Sequence, residues 1–307
     1  MILDRCKGLC LSGIALALLS CAHAPAGAPS ATPSAHIVVV ATTSTLASLV
    51  RAVAGDAATV QALVPIGVSP ETYEPAPRDV VALENASVVF ENGAGLETWL
   101  ARLITTSATH AHVIILSDAV TGANRGESPY RPQATNPHFW LDPNYAELYV
   151  ARITQALSAA DPANANAYHA NATAEITRLQ QLDLWTRKQI ATIPVQQRAM
   201  ITFHDAWYYF DRRYGLRDIG AIEPSPGREP SAKDLAALIE LARVNHVRAI
   251  FAEPEFSPRL AKQLADGAGI STVTDLYDDS LGDTPGLSTY EGMMRHNVTT
   301  IVQALGS

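Results

Sequence analysis

Short runs of valine and isoleucine alternate with helical patterns along most of this chain. The runs lack polar alternation, which indicates strands covered on both faces, as in a parallel sheet between helices. They occupy residues 36–42, 58–64, 87–92 and 112–116 in a first series, then 199–203, 216–222, 247–253 and 271–276 in a second. The sequence therefore predicts an α/β protein with two lobes, each built on a mostly parallel sheet flanked by helices.

A long stretch without glycine or proline separates the two series. Asp161-Pro162 supplies an N-cap acid followed by proline at the first helical position, and the next residue of either type is Pro194. A helix over residues 161–194 would measure about 45–50 Å at ~1.5 Å per residue. We therefore expect a rigid linking helix between an N-terminal lobe, 37–160, and a C-terminal lobe, 195–307.

The N-terminus has the features of an export signal. Arg5 and Lys7 precede an apolar stretch at 9–20 that is too short to span a bilayer comfortably. The following Leu-Leu-Ser-Cys sequence resembles a bacterial lipobox. It predicts a signal peptide over residues 1–21 and lipidation of Cys21.

A competing cleavage after Ala24 would leave Pro25 at the new N-terminus, which signal peptidases handle poorly. We therefore favour lipidation of Cys21. Residues 22–36 are rich in alanine and proline and lack the side chains of a packed element. They are predicted to form a semi-extended tether.

Composition limits the ligands and partners of the body. All three cysteines, Cys6, Cys10 and Cys21, lie in the leader, so the body has neither a disulfide nor a thiolate ligand. The net charge of -8 argues against nucleic acid and against an anionic membrane surface as partners. Any metal site in the body must therefore use histidine and carboxylate ligands.

Four short stretches place a possible metal ligand after a predicted strand. The clearest is NPHFWLDP at 136–143, in which a rigid segment presents His138 and Asp142-Pro143 is interpreted as closing a turn. The others present Glu71, His204 and Asp279. Because ligands of open α/β sheets bind beyond the carboxyl ends of the strands, we expect one divalent cation between the lobes, held by two residues from each.

Six longer motifs follow one another along the chain: YEPAPRD (73–79), PHFWLDP (137–143), HDAWYYFDRRYGL (204–216), EPSPGREPSAKDL (223–235), EPEFSPR (253–259) and YEGMMRHN (290–297). Together they resemble the zinc- and manganese-binding family of solute-binding proteins that serve bacterial ABC importers, from about residue 37 to the C-terminus. The resemblance implies two lobes joined by one long helix, with the metal between them. It also implies a monomeric, membrane-anchored periplasmic lipoprotein that delivers metal to a separate permease and ATPase.

The resemblance assigns the second and third ligands to His138 and His204, and the fourth to Asp279 with Asp278 as its nearest alternative. The family's first ligand is a histidine in P-H-x-Y-E-P, and this chain has Glu71 in that place. A carboxylate there can bind through one or both oxygens, or point to solvent and leave three ligands.

The choice of metal stays open at this stage. Manganese-binding members commonly pair two histidines with two carboxylates, the count found here, whereas zinc-binding members tend to have three histidines. His204 keeps a nitrogen donor where manganese-binding members often have an acid, which places zinc slightly ahead of manganese. Iron is a further possibility.

Other functions have less support in the sequence. It contains no G-x-S-x-G, phosphate-loop or H-E-x-x-H motif, so we expect no enzymatic activity. The alternative from another class is a metal-dependent hydrolase that uses the same histidine and carboxylate cluster. Cell adhesion rests only on the fact that some family members were first described as adhesins.

Overall fold

A computed structural model describes residues 36–121, 127–128, 131–224 and 226–306. The predicted signal peptide, Cys21 and the tether before His36 lie outside these residues. Within them, no helix combines the length and the apolar character that crossing a membrane requires.

The first sheet follows the predicted strands closely. Its parallel strands are β1 (Ile37–Ala41), β2 (Ala58–Ala62), β3 (Val88–Glu91) and β4 (His112–Ile115), in the spatial order β2-β1-β3-β4. The accompanying helices are α1 (Ser44–Ala54), α2 (Pro77–Glu84) and α3 (Leu100–Ser107). Thr43 is the N-cap of α1, and its hydroxyl accepts a hydrogen bond from Leu46 N at 3.2 Å. The first predicted series is confirmed.

A short hairpin and two packed helices come next in the chain: β5 (Glu127–Ser128), β6 (Arg131–Thr135), α4 (Pro143–Ala160) and α5 (Ala165–Ile190). Helix α4 is absent from the sequence-based prediction, which interprets Asp142-Pro143 as the end of a turn. In the structure the same pair begins a helix. The Asp142 carboxylate accepts a hydrogen bond from Asn144 N at 2.9 Å, and Pro143 takes the first helical position.

Helix α5 is shorter than the predicted 161–194. The Asp161 carboxylate accepts hydrogen bonds from Asn164 Nδ2 at 2.7 Å and from Tyr168 Oη at 2.8 Å. These bonds accompany a 3-10 turn at Pro162–Asn164, so the α-helix begins only after it. The division of the chain at these boundaries stays a prediction.

The second sheet is also parallel. Its strands are β7 (Ala199–His204), β8 (Arg217–Glu223), β9 (Ala249–Phe251) and β10 (Ser271–Val273), in the order β10-β9-β7-β8. The helices are α6 (Tyr208–Tyr214), α7 (Ala232–Val244), α8 (Arg259–Ala268) and α9 (Tyr290–Gly306). Every residue of β7 is buried, which explains its continuous apolar run. The second predicted series is confirmed.

Helix α9 joins the C-terminal end of the chain to the first sheet's helices. It packs against α1 and α5, and one hydrophobic core contains side chains from α1, α4, α5 and α9. Tyr290 N donates a hydrogen bond to Ser48 Oγ at 2.9 Å, and Tyr290 Oη donates to the Trp140 carbonyl at 2.7 Å. Tyr290 therefore links the segment after His138 to helix α1.

An ion-pair network ties the long helix to the same segment. Arg213 of α6 lies 2.8 Å from Asp183 of α5 and 3.1 Å from Asp142. Tyr214 Oη donates a further hydrogen bond to Asp183 at 2.9 Å. Because these groups are largely shielded from water, the network fixes α6 against α5 and against the start of α4.

A pair of leucines on α5 tests the packing of this helix. Leu179 is 1% exposed and Leu184 is 67% exposed. We expect Leu179→Ala to lower the free energy of unfolding by about 2–5 kcal/mol, because it leaves a cavity in the core. The matched change Leu184→Ala should alter it by less than about 0.5 kcal/mol. Urea denaturation checks both values, and equal losses would contradict the assigned face of α5.

Candidate metal centre

The four predicted ligands meet at the carboxyl ends of the two sheets. His138 Nε2 lies 3.3 Å from His204 Nε2, 3.5 Å from Asp279 Oδ1 and 3.7 Å from Glu71 Oε1. A second oxygen, Asp279 Oδ2, lies 3.9 Å from His204 Nε2. Donors about 2.0–2.2 Å from a tetrahedral zinc ion are separated by roughly 3.3–3.6 Å. The spacings around His138 Nε2 are therefore close to those of a metal shell. Two overlapping groups, Glu71-His138-His204 and His204-Asp278-Asp279, each have their ligand atoms within 4.8 Å of one another.

The segment that carries Glu71 is anchored on both sides. Trp99 Nε1 donates a hydrogen bond to the Pro70 carbonyl at 2.8 Å, and Tyr73 Oη donates to Asp79 Oδ2 at 2.8 Å. The Tyr73 and Trp99 rings pack edge to face, with centroids 5.2 Å apart. The Glu71 side chain is 10% exposed, so it faces the cluster rather than solvent.

His138 is completely buried and held by its own loop. Asn136 Oδ1 lies 3.1 Å from His138 N and 2.9 Å from His138 Nδ1. With Nδ1 as the donor to this amide oxygen, Nε2 carries the lone pair and points into the cluster. This is the arrangement that a neutral imidazole ligand needs.

His204, the last residue of β7, has carboxylates behind its ring. Its Nδ1 lies 3.6 Å from Glu253 Oε2 and 3.8 Å from Asp278 Oδ2. Burial alone would lower the pKa of His204, but Asp278, Glu253 and Asp279 outweigh it and raise the pKa well above its ordinary value. Without a metal, these carboxylates favour an imidazolium at this position. A metal that binds His204 Nε2 must displace the proton on that nitrogen.

The two adjacent aspartates have different surroundings. Asp279 Oδ2 accepts a hydrogen bond from Ser69 Oγ at 3.2 Å, on the Nε2 side of His204. Asp278 uses Oδ1 to accept from Asp279 N at 2.6 Å, and Oδ2 to accept from Trp207 Nε1 at 3.2 Å. Both oxygens of Asp278 thus accept hydrogen bonds from protein donors, whereas Asp279 Oδ1 accepts none from the described residues. Both aspartates belong to a group with His204 that could hold a metal.

The two carboxyl groups also titrate differently. Burial by itself would raise the pKa of Asp279, but interactions with His138 and His204 lower it below its ordinary value. Burial and the charge of Glu253 raise the pKa of Asp278 well above its ordinary value. The surroundings therefore favour the charged form of Asp279 more than that of Asp278.

Sequence reasoning missed Glu253, Glu255 and the role of Asn136. Glu253 is 1% exposed, and neither of its carboxylate oxygens accepts a hydrogen bond from the described residues. It follows β9, which is next to β7 in the sheet. The strand-end rule that selected His204 would have selected Glu253 too. Glu255 lies nearby and accepts a hydrogen bond from Ser280 Oγ.

Comparison with known proteins agrees with this architecture. The family model described as "ZnuA: Zinc-uptake complex component A periplasmic" matches residues 39–304. The chain belongs to this family. Among its relatives, the manganese-binding lipoprotein MntA of Halalkalibacterium halodurans is 32% identical over 268 residues, covering 87% of this chain and 88% of MntA. The iron-binding protein YfeA of Yersinia pestis is 29% identical, covering 87% of this chain and 86% of YfeA.

Solved structures extend the similarity of this ZnuA-family chain to its fold. The periplasmic zinc binding protein TroA from Treponema pallidum matches with a TM-score of 0.82 and 26% identity, covering 89% of this chain and 100% of TroA. A manganese-bound periplasmic metal binding protein from Candidatus Liberibacter asiaticus matches with a TM-score of 0.79 and 27% identity, covering 88% and 99%. The predicted family and two-lobe fold are confirmed.

Proposed function

We propose that this chain captures one divalent transition metal between its lobes and delivers it to the permease and ATPase of an ABC importer. The observation that supports this most directly is the short spacing of the buried ligand atoms: His138 Nε2 lies within 3.7 Å of atoms of Glu71, His204 and Asp279. The names of its relatives supply the class of cargo, since they bind manganese, iron or zinc.

The donor set accounts for this class of cargo. Two carboxylates offset the charge of a dication, and two imidazoles disfavour magnesium and calcium, which prefer oxygen ligands. Family membership and the named relatives give no support to the hydrolase alternative. We therefore propose a binding protein without enzymatic activity.

The ligand assignment is tested by paired histidine substitutions. We expect wild type to bind one equivalent of zinc, and His138→Ala with His204→Ala to lose tight binding, because both nitrogen donors are removed. The control replaces two exposed histidines, His110 and His112, by alanine. Equilibrium metal analysis measures all three proteins. Retention of tight binding by the first double variant, or equal loss in the control, would show that the assignment is wrong.

The metal preference depends on Glu71. The Irving–Williams order favours zinc over manganese at any such site, so manganese selection requires more oxygen donors. If Glu71 binds through both oxygens, the shell reaches at least five donors and suits manganese or ferrous iron. If it binds through one, a tetrahedral shell suits zinc. We retain zinc slightly ahead, because His204 supplies a second nitrogen.

Competition between the two metals tests this role. Glu71→His should raise affinity for zinc relative to manganese at least about tenfold, or ~1.4 kcal/mol, because a nitrogen ligand replaces an oxygen ligand. The control Glu74→His changes an exposed residue three positions away. Titration of metal-free protein with both ions gives the ratio. An unchanged ratio in Glu71→His would place Glu71 outside the shell.

We also propose that the protein works as a periplasmic monomer anchored by a lipid on Cys21. Several relatives are named as lipoproteins, and the lipobox-like sequence supports the same anchor here. Cys21→Ala should release the protein from the membrane fraction without changing zinc affinity, because Cys21 lies outside the predicted body. Fractionation with immunoblotting measures release, and membrane retention of the variant would argue for an uncleaved signal instead.

A further inference from the structure

We propose that Asn136 is a positioning residue that fixes the ligand His138 and joins it to the backbone beside the ligand His204. This inference rests on the proposed metal site. Asn136 is completely buried, and its side-chain amide reaches both lobes. Its oxygen faces His138 N at 3.1 Å and His138 Nδ1 at 2.9 Å, while its nitrogen donates to the Asp205 carbonyl at 2.8 Å.

The orientation of this amide follows from its partners. The Asp205 carbonyl can only accept a hydrogen bond, so the NH2 group of Asn136 must face it. The oxygen then faces His138, whose backbone N–H can only donate. The same oxygen accepts from the imidazole only if Nδ1 carries the proton. One amide thus sets the tautomer of His138 and leaves the lone pair on Nε2.

The same amide couples the two halves of the site. Asp205 directly follows His204, whose Nε2 lies 3.3 Å from His138 Nε2. Two nitrogen lone pairs at this distance repel each other unless a cation or a proton lies between them. Asn136 holds the two rings in this arrangement, because its oxygen accepts hydrogen bonds from His138 and its nitrogen donates to the carbonyl of Asp205, beside His204. Separation of the lobes would break the Asn136–Asp205 bond while it separates the two nitrogens.

The test combines the tautomer of His138 with zinc affinity in the mature protein. In metal-free wild type labelled with 15N-histidine, long-range proton–nitrogen spectra should show His138 protonated at Nδ1. Asn136→Ala should lose this fixed tautomer and bind zinc about 10–100-fold more weakly in competition with a chelator. Asn136→Asp keeps an acceptor for Nδ1–H, and it should therefore keep the tautomer.

Tyr209→Phe is the matched control. The Tyr209 hydroxyl donates to the backbone carbonyl of Asn136 at 2.9 Å, so its removal disturbs the same buried segment but leaves the amide contacts. We expect its tautomer to be unchanged and its zinc affinity to stay within about threefold of wild type, since no contact to a ligand is lost. An affinity loss equal to that of Asn136→Ala would show a merely structural role.

Two further outcomes separate this inference from the proposed function. If wild-type His138 carries its proton on Nε2 and none on Nδ1, the role of Asn136 is overturned. This outcome needs no variant, so it counts even if Asn136→Ala does not fold. A folded Asn136→Ala variant that binds zinc with the affinity of wild type would also overturn it, while leaving the proposed metal site intact. Failure of wild type itself to bind zinc or manganese would instead contradict the proposed function.

Discussion

The site depends on a buried excess of negative charge around two histidines. Asp278, Asp279 and Glu253 are almost fully shielded from water and surround the His204 ring, while Glu71 lies beside His138. Carboxylates in such surroundings are costly unless a cation or a proton compensates them. In the absence of metal, the pKa values of His204 and Asp278 are raised, so bound protons offset part of this negative charge. A divalent metal would supply the charge and all the missing ligand bonds at once.

The fold makes this concentration of charge sustainable. The strand ends of two parallel sheets lie together, so acids and histidines distant in sequence approach one another without entering the hydrophobic cores. Helix α5, the Arg213 network and helix α9 hold the segment around His138 from behind. A donor set that is fixed before metal arrives loses little conformational entropy on binding.

Glu71 is the departure of this chain from the family's usual motif, and the surrounding structure accommodates it. Its segment is anchored by Trp99 and Asp79, which lie outside the donor set. The side chain at the first ligand position therefore differs from the family's histidine, whereas the hydrogen bonds that anchor its segment do not involve that side chain. A carboxylate ligand at Glu71 would shift the shell towards oxygen, whereas the charge of Glu253, 3.6 Å from His204 Nδ1, acts on the nitrogen ligand.

The sequence by itself determined the strands, most helices, the family and the four candidate ligands. Buried parallel strands leave continuous apolar runs, and each candidate ligand follows such a run or a rigid motif. Helix α4 escaped prediction because Asp142-Pro143 fits both a turn and a helix start, and only packing against α5 decides between them. Only the tertiary structure shows that Asp278 and Asp279 make different hydrogen bonds, that Glu253 lies beside His204, and that Asn136 contacts both His138 and Asp205. These assignments depend on which atoms face each other across long sequence separations, and local propensity and spacing carry no information about that.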